Sequence, residues 1–279
     1  MPASPLPVTV VGALTTGSDR GLVADIGAAH ALGLTPLAVC TQITAASSGR
    51  VTDVTDVPSD TVRAQLEHLA ALGTPAGMKI GVLASAATAQ AVLDAAEAVD
   101  GPVVLDLVAS GPSGETVLSA DGIDAVADRL GVPDVVTLSR QDAELVTGGT
   151  VESLDDAQVA AQRLAARGAR AVLIRCGSLP YRFYDAADDP GSADARPLSF
   201  DLFYDGEDFA LFEAPHLDAD AGGASSVLAL ALLDGLLQGA APEEALQAAK
   251  RAATDAIRFS NNGSAYGRRI AFPTSDVRL

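Results

Sequence analysis

The chain is poor in several residue types, and each shortage excludes something. It has no tryptophan, two cysteines, three histidines and two lysines in 279 residues. Cys40 and Cys176 are too few and too far apart for a disulfide framework; each borders an apolar run, so both read as buried free thiols. His30, His68 and His216 show no metal-ligand spacing. No run of about 18 apolar residues is present, so no membrane span is expected. The segment from Met1 to Pro7 lacks the charged-then-apolar layout of a signal peptide, which points to a cytoplasmic protein. Basic residues are outnumbered, 18 against 36 acidic ones, for a formal net charge of -18. Such a field repels nucleic-acid phosphates and disfavours general binding to them. Local anion binding stays open if backbone N–H groups and a nearby cation supply the positive charge.

What is present is a 48% hydrophobic chain, enough for one substantial core and a single domain over residues 1–279. Short apolar runs alternate with helix-like stretches. Val8 to Val11, Leu37 to Thr41, Met78 to Ile80, Val103 to Asp106, Val135 to Thr137 and Ala171 to Ile174 read as strands. Helices are expected over Gly21–Leu32, from Pro58 with Val62, Leu66, Leu69 and Leu72 on one face, and from Ser85 to Val99. Others follow near Asp121–Leu130, over Gln141–Thr147, and to Arg167 after a Ser153-x-x-Asp156 capping box. Continuous apolar strands between amphipathic helices describe a parallel sheet covered on both faces, a three-layer α/β fold. Ser178 to Pro197 is polar and Asp-rich, a surface loop. Leu198, Phe200, Leu202 and Tyr204 then alternate, Asp205-Gly206 turns, and Phe209 to Phe212 returns as a β-hairpin. Two helices close the pattern, Gly223–Gln238 and Pro242–Ser260; the segment after them, from Asn261, reads as a surface tail, with a turn near the nucleotide as the alternative.

In an open parallel sheet, ligands bind beyond the carboxyl ends of the strands. Gly12, Asp106, Thr137 to Asp142, Gly177 and the turn Ala221–Ser225 are candidates on that ground. Asp106 follows an apolar strand directly, so its carboxylate could hold a cation or water, or cap a loop. The turn Ala221-Gly222-Gly223-Ala224-Ser225-Ser226 opens a long apolar helix. Small residues there let a backbone approach an anion, and a helix start offers N–H donors and a positive dipole end. The same composition also serves plain helix packing. A phosphoryl group in transfer suits such a turn, because positioning and charge stabilisation supply most of its catalysis.

These strings, in order, resemble the ribokinase-like fold and, within it, the hydroxymethylpyrimidine and hydroxymethylpyrimidine-phosphate kinases of thiamine biosynthesis. Gly21-Leu22-Val23-Ala24-Asp25 is similar to the family's G-I-Q-A-D, and Ala31-Leu32-Gly33 to its A-L-G. Lys79-Ile80-Gly81-Val82-Leu83 is similar to K-I-G-M-L, and Val103 to Val108 to V-V-L-D-P-V. Ser113-Gly114 matches S-G, and the segments Asp201 to Gly206 and Glu213 to Pro215 match a hairpin just before a G-T-G-C turn. The resemblance implies transfer of the ATP γ-phosphoryl group, with Mg²⁺, to a hydroxymethyl or phosphate oxygen on a pyrimidine. It also implies a small-molecule partner and a homodimer. Gly222, Gly223, Ala224 and Ser225 align with the anion-hole turn, Ser225 at the position beside the accepting oxygen. Gly12, Asp25, Ala46, Val82 and Val108 align with the pyrimidine pocket. Ser139, Asp142, Arg175 and Gly177 fall to the nucleotide, and Asp106 and Asp142 to the metal.

The departures from the family gather at the chemistry. Ser225 replaces a cysteine, Ala46 a pyrimidine-binding glutamine with Gln42 nearby, and Val82 a methionine. The first loop, Gly12 to Gly21, replaces a D-P-S-G-G segment. The P-N-x-x-E signature becomes Leu138-Ser139-Arg140-Gln141-Asp142, and Asp218 to Ala221 is shorter than its counterpart. Two alternatives therefore stand beside the pyrimidine kinase: a ligand-binding protein that has lost turnover on the same fold, and a pyridoxal kinase.

Overall fold

Alternate residues of the central strands bury into two different helix layers, and that alternation builds the molecule. The computed structural model describes residues 4–17, 19–47, 50–111, 114, 116–179, 198–217, 222–263, 267–269 and 271–272. In chain order the elements are β1 Pro7–Thr16, α1 Leu22–Ala31, β2 Thr35–Ser47, β3 Arg50–Asp56, α2 Ser59–Leu72, β4 Gly77–Ile80, α3 Ala86–Glu97, β5 Val103–Leu107 and α4 Ala120–Ala127. They continue with β6 Val135–Ser139, α5 Arg140–Thr147, α6 Leu154–Ala166, β7 Val172–Gly177, β8 Leu198–Tyr204, β9 Phe209–Pro215, α7 Ala224–Leu237, α8 Pro242–Arg258, β10 Asn261–Gly263 and β11 Gly267–Arg269.

The main sheet has nine strands in the order β3-β2-β1-β4-β5-β6-β7-β8-β9. Strands β2, β1, β4, β5, β6 and β7 run parallel; β3 and the β8–β9 hairpin pair antiparallel at the two edges. Val11, Ile80, Leu105, Val136 and Ile174 pack against α2 to α6. Their neighbours Val10, Val104, Val135 and Leu173 face α1, α7 and α8 on the other side. This is the three-layer ribokinase-like arrangement. Ser85 and Ser153 cap α3 and α6 as expected, each hydroxyl accepting from the N–H three residues on, at 3.3 and 3.2 Å. No helix among the described residues is long and apolar enough to cross a membrane.

Four details differ from the sequence expectations. Strand β2 runs on past Thr41 to Ser47 and turns back as β3, a ribbon whose mixed polar composition carries no strong alternation. Leu72 does not share the buried face of Val62 and Leu66: it ends α2 and is 71% exposed. Cys176 is buried, but Cys40 only half so. The backbone after α8 is an antiparallel ribbon, β10 with β11, rather than a plain tail, and Ala271 N–H then returns to Ala256 O at 3.3 Å. Most of the loop expected over Ser178–Pro197, from 180 on, lies outside the described residues.

Candidate active site

Strand order reverses at β1, with β2 on one side and β4 on the other, and the ligand crevice of such a sheet opens at that point beyond the carboxyl ends. On the face toward α1 and α7 the strands are apolar at their amino ends and polar at their carboxyl ends. Two residues beyond Val104 on the same face comes Asp106; two beyond Val135, Thr137; two beyond Leu173, Arg175. Lys79 lies beside Val10 and Val104 in register, on that face too. Asp201 pairs with Arg175 across β7 and β8.

These side chains form a string of alternating charge. Asp25 of α1, fully buried, accepts from Lys79 Nζ at 2.8 Å. Lys79 Nζ lies 3.9 Å from Asp106 Oδ2, and Arg175 donates to Asp106 Oδ1 at 2.7 Å. Thr137 Oγ1 donates to Asp106 Oδ1 at 3.0 Å. Asp201 adds to the field at Arg175 and is itself paired with Lys250 of α8 at 2.7 Å. Three acids and three bases thus cross the sheet in strict alternation, which is how buried charges are tolerated at all. Burial would push the Asp106 carboxyl up, but Arg175 and Lys79 together outweigh it and hold it below the usual carboxylate value. At Asp25 burial prevails over Lys79 and the carboxyl is raised. Asp25 Oδ2 has no hydrogen bond of good geometry, although the Ser226 hydroxyl of α7 stands near enough to the carboxyl to act against the rise.

The α7 turn sits against α1 beside this string. Gly223 adopts φ 89° and ψ -3°, the left-handed conformation that suits glycine, and is the N-cap of α7. A Cβ at Gly223 would overlap the Asp19 carbonyl oxygen and lie 2.9 Å from Ala24 Cβ, so the turn locks onto the loop that precedes α1. A Cβ at Gly222 would meet Arg20 Cγ and Nε at 2.9 Å, so Arg20 lies across the turn. No side chain caps α7, and its first backbone bond runs from Val227 N–H to Gly223 O at 3.1 Å. Ala224, Ser225 and Ser226 are therefore the orphan donors of the helix start. Residues 218–221, which include the first residue of the expected turn, are outside the described set.

The remaining sequence-derived candidates divide. Gly12 lies beside Asp25: a Cβ there would be 3.6 Å from Oδ2. Val82, two residues past β4, and Val108, directly after β5, are both half-buried, and the Val82 carbonyl accepts from Thr41 Oγ1 at 2.6 Å. Ala46 lies farther along the β2–β3 ribbon, where its carbonyl faces Gly17. Gln42 is the residue next to Ala13 in register, buried and tied to Asp56 at 2.9 Å. Gly177 ends β7 with φ 63° and open space at its Cα. Ser139 caps α5 by accepting from Asp142 N–H at 3.1 Å. Asp142, expected at the metal, has both oxygens engaged: Oδ1 accepts from Ala109 N–H, Ser110 N–H and Ser110 Oγ at 2.9–3.0 Å, and Oδ2 from Ser139 Oγ at 2.7 Å. Lys79 was not singled out from sequence, although a lysine in a four-residue strand that is buried throughout is itself a signal.

The comparisons with known proteins agree with this architecture. The profile of the phosphomethylpyrimidine kinase family matches residues 16–272. A hydroxymethylpyrimidine/phosphomethylpyrimidine kinase of Streptomyces coelicolor is 32% identical over 256 residues, covering 91% of this chain and 88% of the relative. One from Aquifex aeolicus is 28% identical over 253 residues, 90% and 93% of the two chains. Among solved structures, pyridoxal kinase from Staphylococcus aureus in complex with AMP-PCP and pyridoxal superposes with a TM-score of 0.83 at 23% identity, covering 99% and 96%. Phosphomethylpyrimidine kinase from Clostridium difficile gives 0.73 at 21%, covering 90% and 99%. The structural likenesses show the fold; the profile match and the sequence relatives show that the chain belongs to the phosphomethylpyrimidine kinase family.

Proposed function

We propose that this chain transfers the γ-phosphoryl group of ATP to a hydroxymethyl or phosphate oxygen of a small aminopyrimidine. The observation that carries the reading is the orphaned Asp25 Oδ2, buried beside Gly12 next to the uncapped start of α7. A buried acceptor left without a well-directed donor costs free energy, and an N–H of an aminopyrimidine supplies one where the Ser226 hydroxyl alone does not reach good geometry. Val82 and Val108 give the ring apolar walls.

The backbone donors of Ala224 and Ser225, freed by the left-handed Gly223, receive the transferring phosphoryl group, where developing charge is stabilised most by fixed dipoles. Ser225 stands beside the accepting oxygen and orients it through its hydroxyl. Ser139, Arg175 and Gly177, at the ends of β6 and β7, face the nucleotide. Among the described residues no three metal-ligating side chains come together. Mg²⁺ takes only one or two protein carboxylates and completes its shell with phosphate and water. Asp106 would hold it, and when bound it neutralises phosphate charge. Asp142 contributes by fastening the segment after β5 to the turn that carries Ser139.

A coupled ADP-release assay over hydroxymethylpyrimidine, its phosphate and pyridoxal tests the reading. ADP release with the pyrimidines above that with pyridoxal is expected. Pyridoxal turnover alone would move the chain to the pyridine kinases that share its fold. Absence of both ADP release and ATP-analogue binding would sink the kinase reading.

A further inference from the structure

We propose that Arg20 is a specificity-determining residue that favours a phosphate monoester over a free hydroxymethyl group as the acceptor. The inference rests on the kinase reading above and decides between the two acceptor oxygens that reading leaves open. Its basis is what meets beside the acceptor pocket. Gly223, the N-cap of α7, lies against the Asp19 carbonyl and against Ala24 in the first turn of α1, so the starts of the two helices adjoin. Neither N-cap, Gly21 or Gly223, supplies a side-chain hydrogen bond. The acid in the first turn of α1 is Asp25, which accepts from Lys79, and the first turn of α7 has no acid. Two positive dipole ends with unpaired N–H donors therefore adjoin.

Arg20 stands between them, half-buried and directly before Gly21. Its side chain crosses Gly222, where a Cβ would lie 2.9 Å from Cγ and Nε and 3.4 Å from Cζ. Both neighbours in the chain fix its place: the Asp19 carbonyl packs on Gly223, and Gly21, at φ 59°, closes on the Ala13 carbonyl. A guanidinium carries five N–H donors in a fixed fork, so engagement of some leaves others for a phosphate. The other cations nearby are committed, Lys79 to Asp25 and Asp106, and Arg175 to Asp106 and Thr137.

The two acceptors differ in charge and in proton count, and the site answers to both differences. A hydroxymethyl group brings no charge, whereas a phosphate monoester brings about -1.5 to -2 near neutral pH. In a chain of net charge -18, that anion requires a local cation and the alcohol does not. In either transfer a new bond forms between the acceptor oxygen and the γ-phosphorus. The bond from that phosphorus to its bridging oxygen breaks, and ADP leaves with the electron pair. The alcohol must also lose its proton, while an oxygen of the phosphate dianion has none to lose. Ser225, at the reactive position, offers a hydroxyl, which is a poor base near neutral pH. The acceptor that needs a cation and no base fits this turn better.

Steady-state ADP release by the full chain with hydroxymethylpyrimidine and with its phosphate tests the assignment, beside isothermal titration of each without nucleotide. For the wild type we expect kcat/KM for the phosphate to exceed that for the alcohol about fivefold or more. Arg20→Gln should lower this ratio at least threefold, chiefly through the KM of the phosphate, with Arg20→Lys restoring part of it. An arginine with a merely structural role would lower both acceptors alike and leave the ratio unchanged. Added salt should narrow the wild-type ratio more than that of Arg20→Gln. A wild-type ratio under fivefold overturns the proposal, and so does a fall of less than threefold in Arg20→Gln. If no ADP is released but the phosphate binds tighter than the alcohol, and Arg20→Gln removes the difference, the kinase reading falls and the role of Arg20 stands. If both acceptors are turned over without preference, only the role of Arg20 falls.

Discussion

Gly223→Ala is the substitution for which the structure makes the sharpest demand. Two separate costs add. The residue must keep φ near 89°, a left-handed conformation that costs an L-residue about 1–2 kcal/mol. Its Cβ must also fit where the Asp19 carbonyl oxygen already overlaps it and Ala24 Cβ lies at 2.9 Å, well inside ordinary contact. Neither neighbour is the free end of a flexible side chain. One is backbone in the loop before α1 and the other belongs to α1 itself. Overpacking of this kind costs about 1–3 kcal/mol, so the total is about 2–5 kcal/mol. For a chain of this size that lowers the melting temperature by roughly 4–20 °C.

Gly222→Ala provides the control. Its new Cβ meets side-chain rather than backbone atoms, Arg20 Cγ and Nε at 2.9 Å, so it asks for a shift of one side chain and not of the chain itself. Its stability should stay within about 1 kcal/mol of wild type. With no tryptophan to report by fluorescence, urea unfolding followed by far-UV circular dichroism is the suitable measurement. Equal stability for Gly223→Ala and wild type, or equal loss in the two variants, would refute the argument that the α7 turn is locked to the α1 loop through this one position.

Three other outcomes follow from the same geometry. Lys250→Met should destabilise the chain by about 1.5–3 kcal/mol by chemical denaturation, because it removes the charged hydrogen bond to the buried Asp201 and leaves that acid only the field of Arg175; a loss under about 1 kcal/mol would show the pair to be incidental. Burial, with Asp201 adding to it, pushes the Cys176 thiol up to about 12, so its reactive thiolate is scarce at pH 8. A thiol-titration reagent should count at most one cysteine in the native protein and two in denaturant, and prompt reaction of both in the native state would contradict the burial. Ser225→Cys should raise kcat on hydroxymethylpyrimidine about tenfold with little change in KM, the low end of acid–base effects because the loose transition state asks little of a base. An unchanged kcat would remove Ser225 from the neighbourhood of the accepting oxygen.

What could be seen in the sequence was what is local. The caps at Ser85 and Ser153, the hairpin turn at Asp205-Gly206 and the alternation of strands and helices depend on residues a few positions apart. The glycine turn before α7 is local too. The partners of the charges are not: Asp25 and Lys79 are 54 residues apart, Asp106 and Arg175 are 69, and only the sheet order brings them together. Asp142 shows the consequence. Its place after β6 fits a carboxylate near the metal, yet the donors that claim its Oδ1 come from residues 109 and 110, on the far side of α4 in the sequence. Lys79 was legible by a different route. A lysine inside a strand flanked by apolar strands cannot reach water, and a buried cation requires a buried anion. In a chain of two lysines that requirement alone calls for a carboxylate on the adjoining helix or strand, and Asp25 and Asp106 are the acids that the strand order supplies. A charged residue in a fully apolar strand is thus a stronger pointer to a site than an acid at a strand end, because the strand end can be capped by solvent and the strand interior cannot.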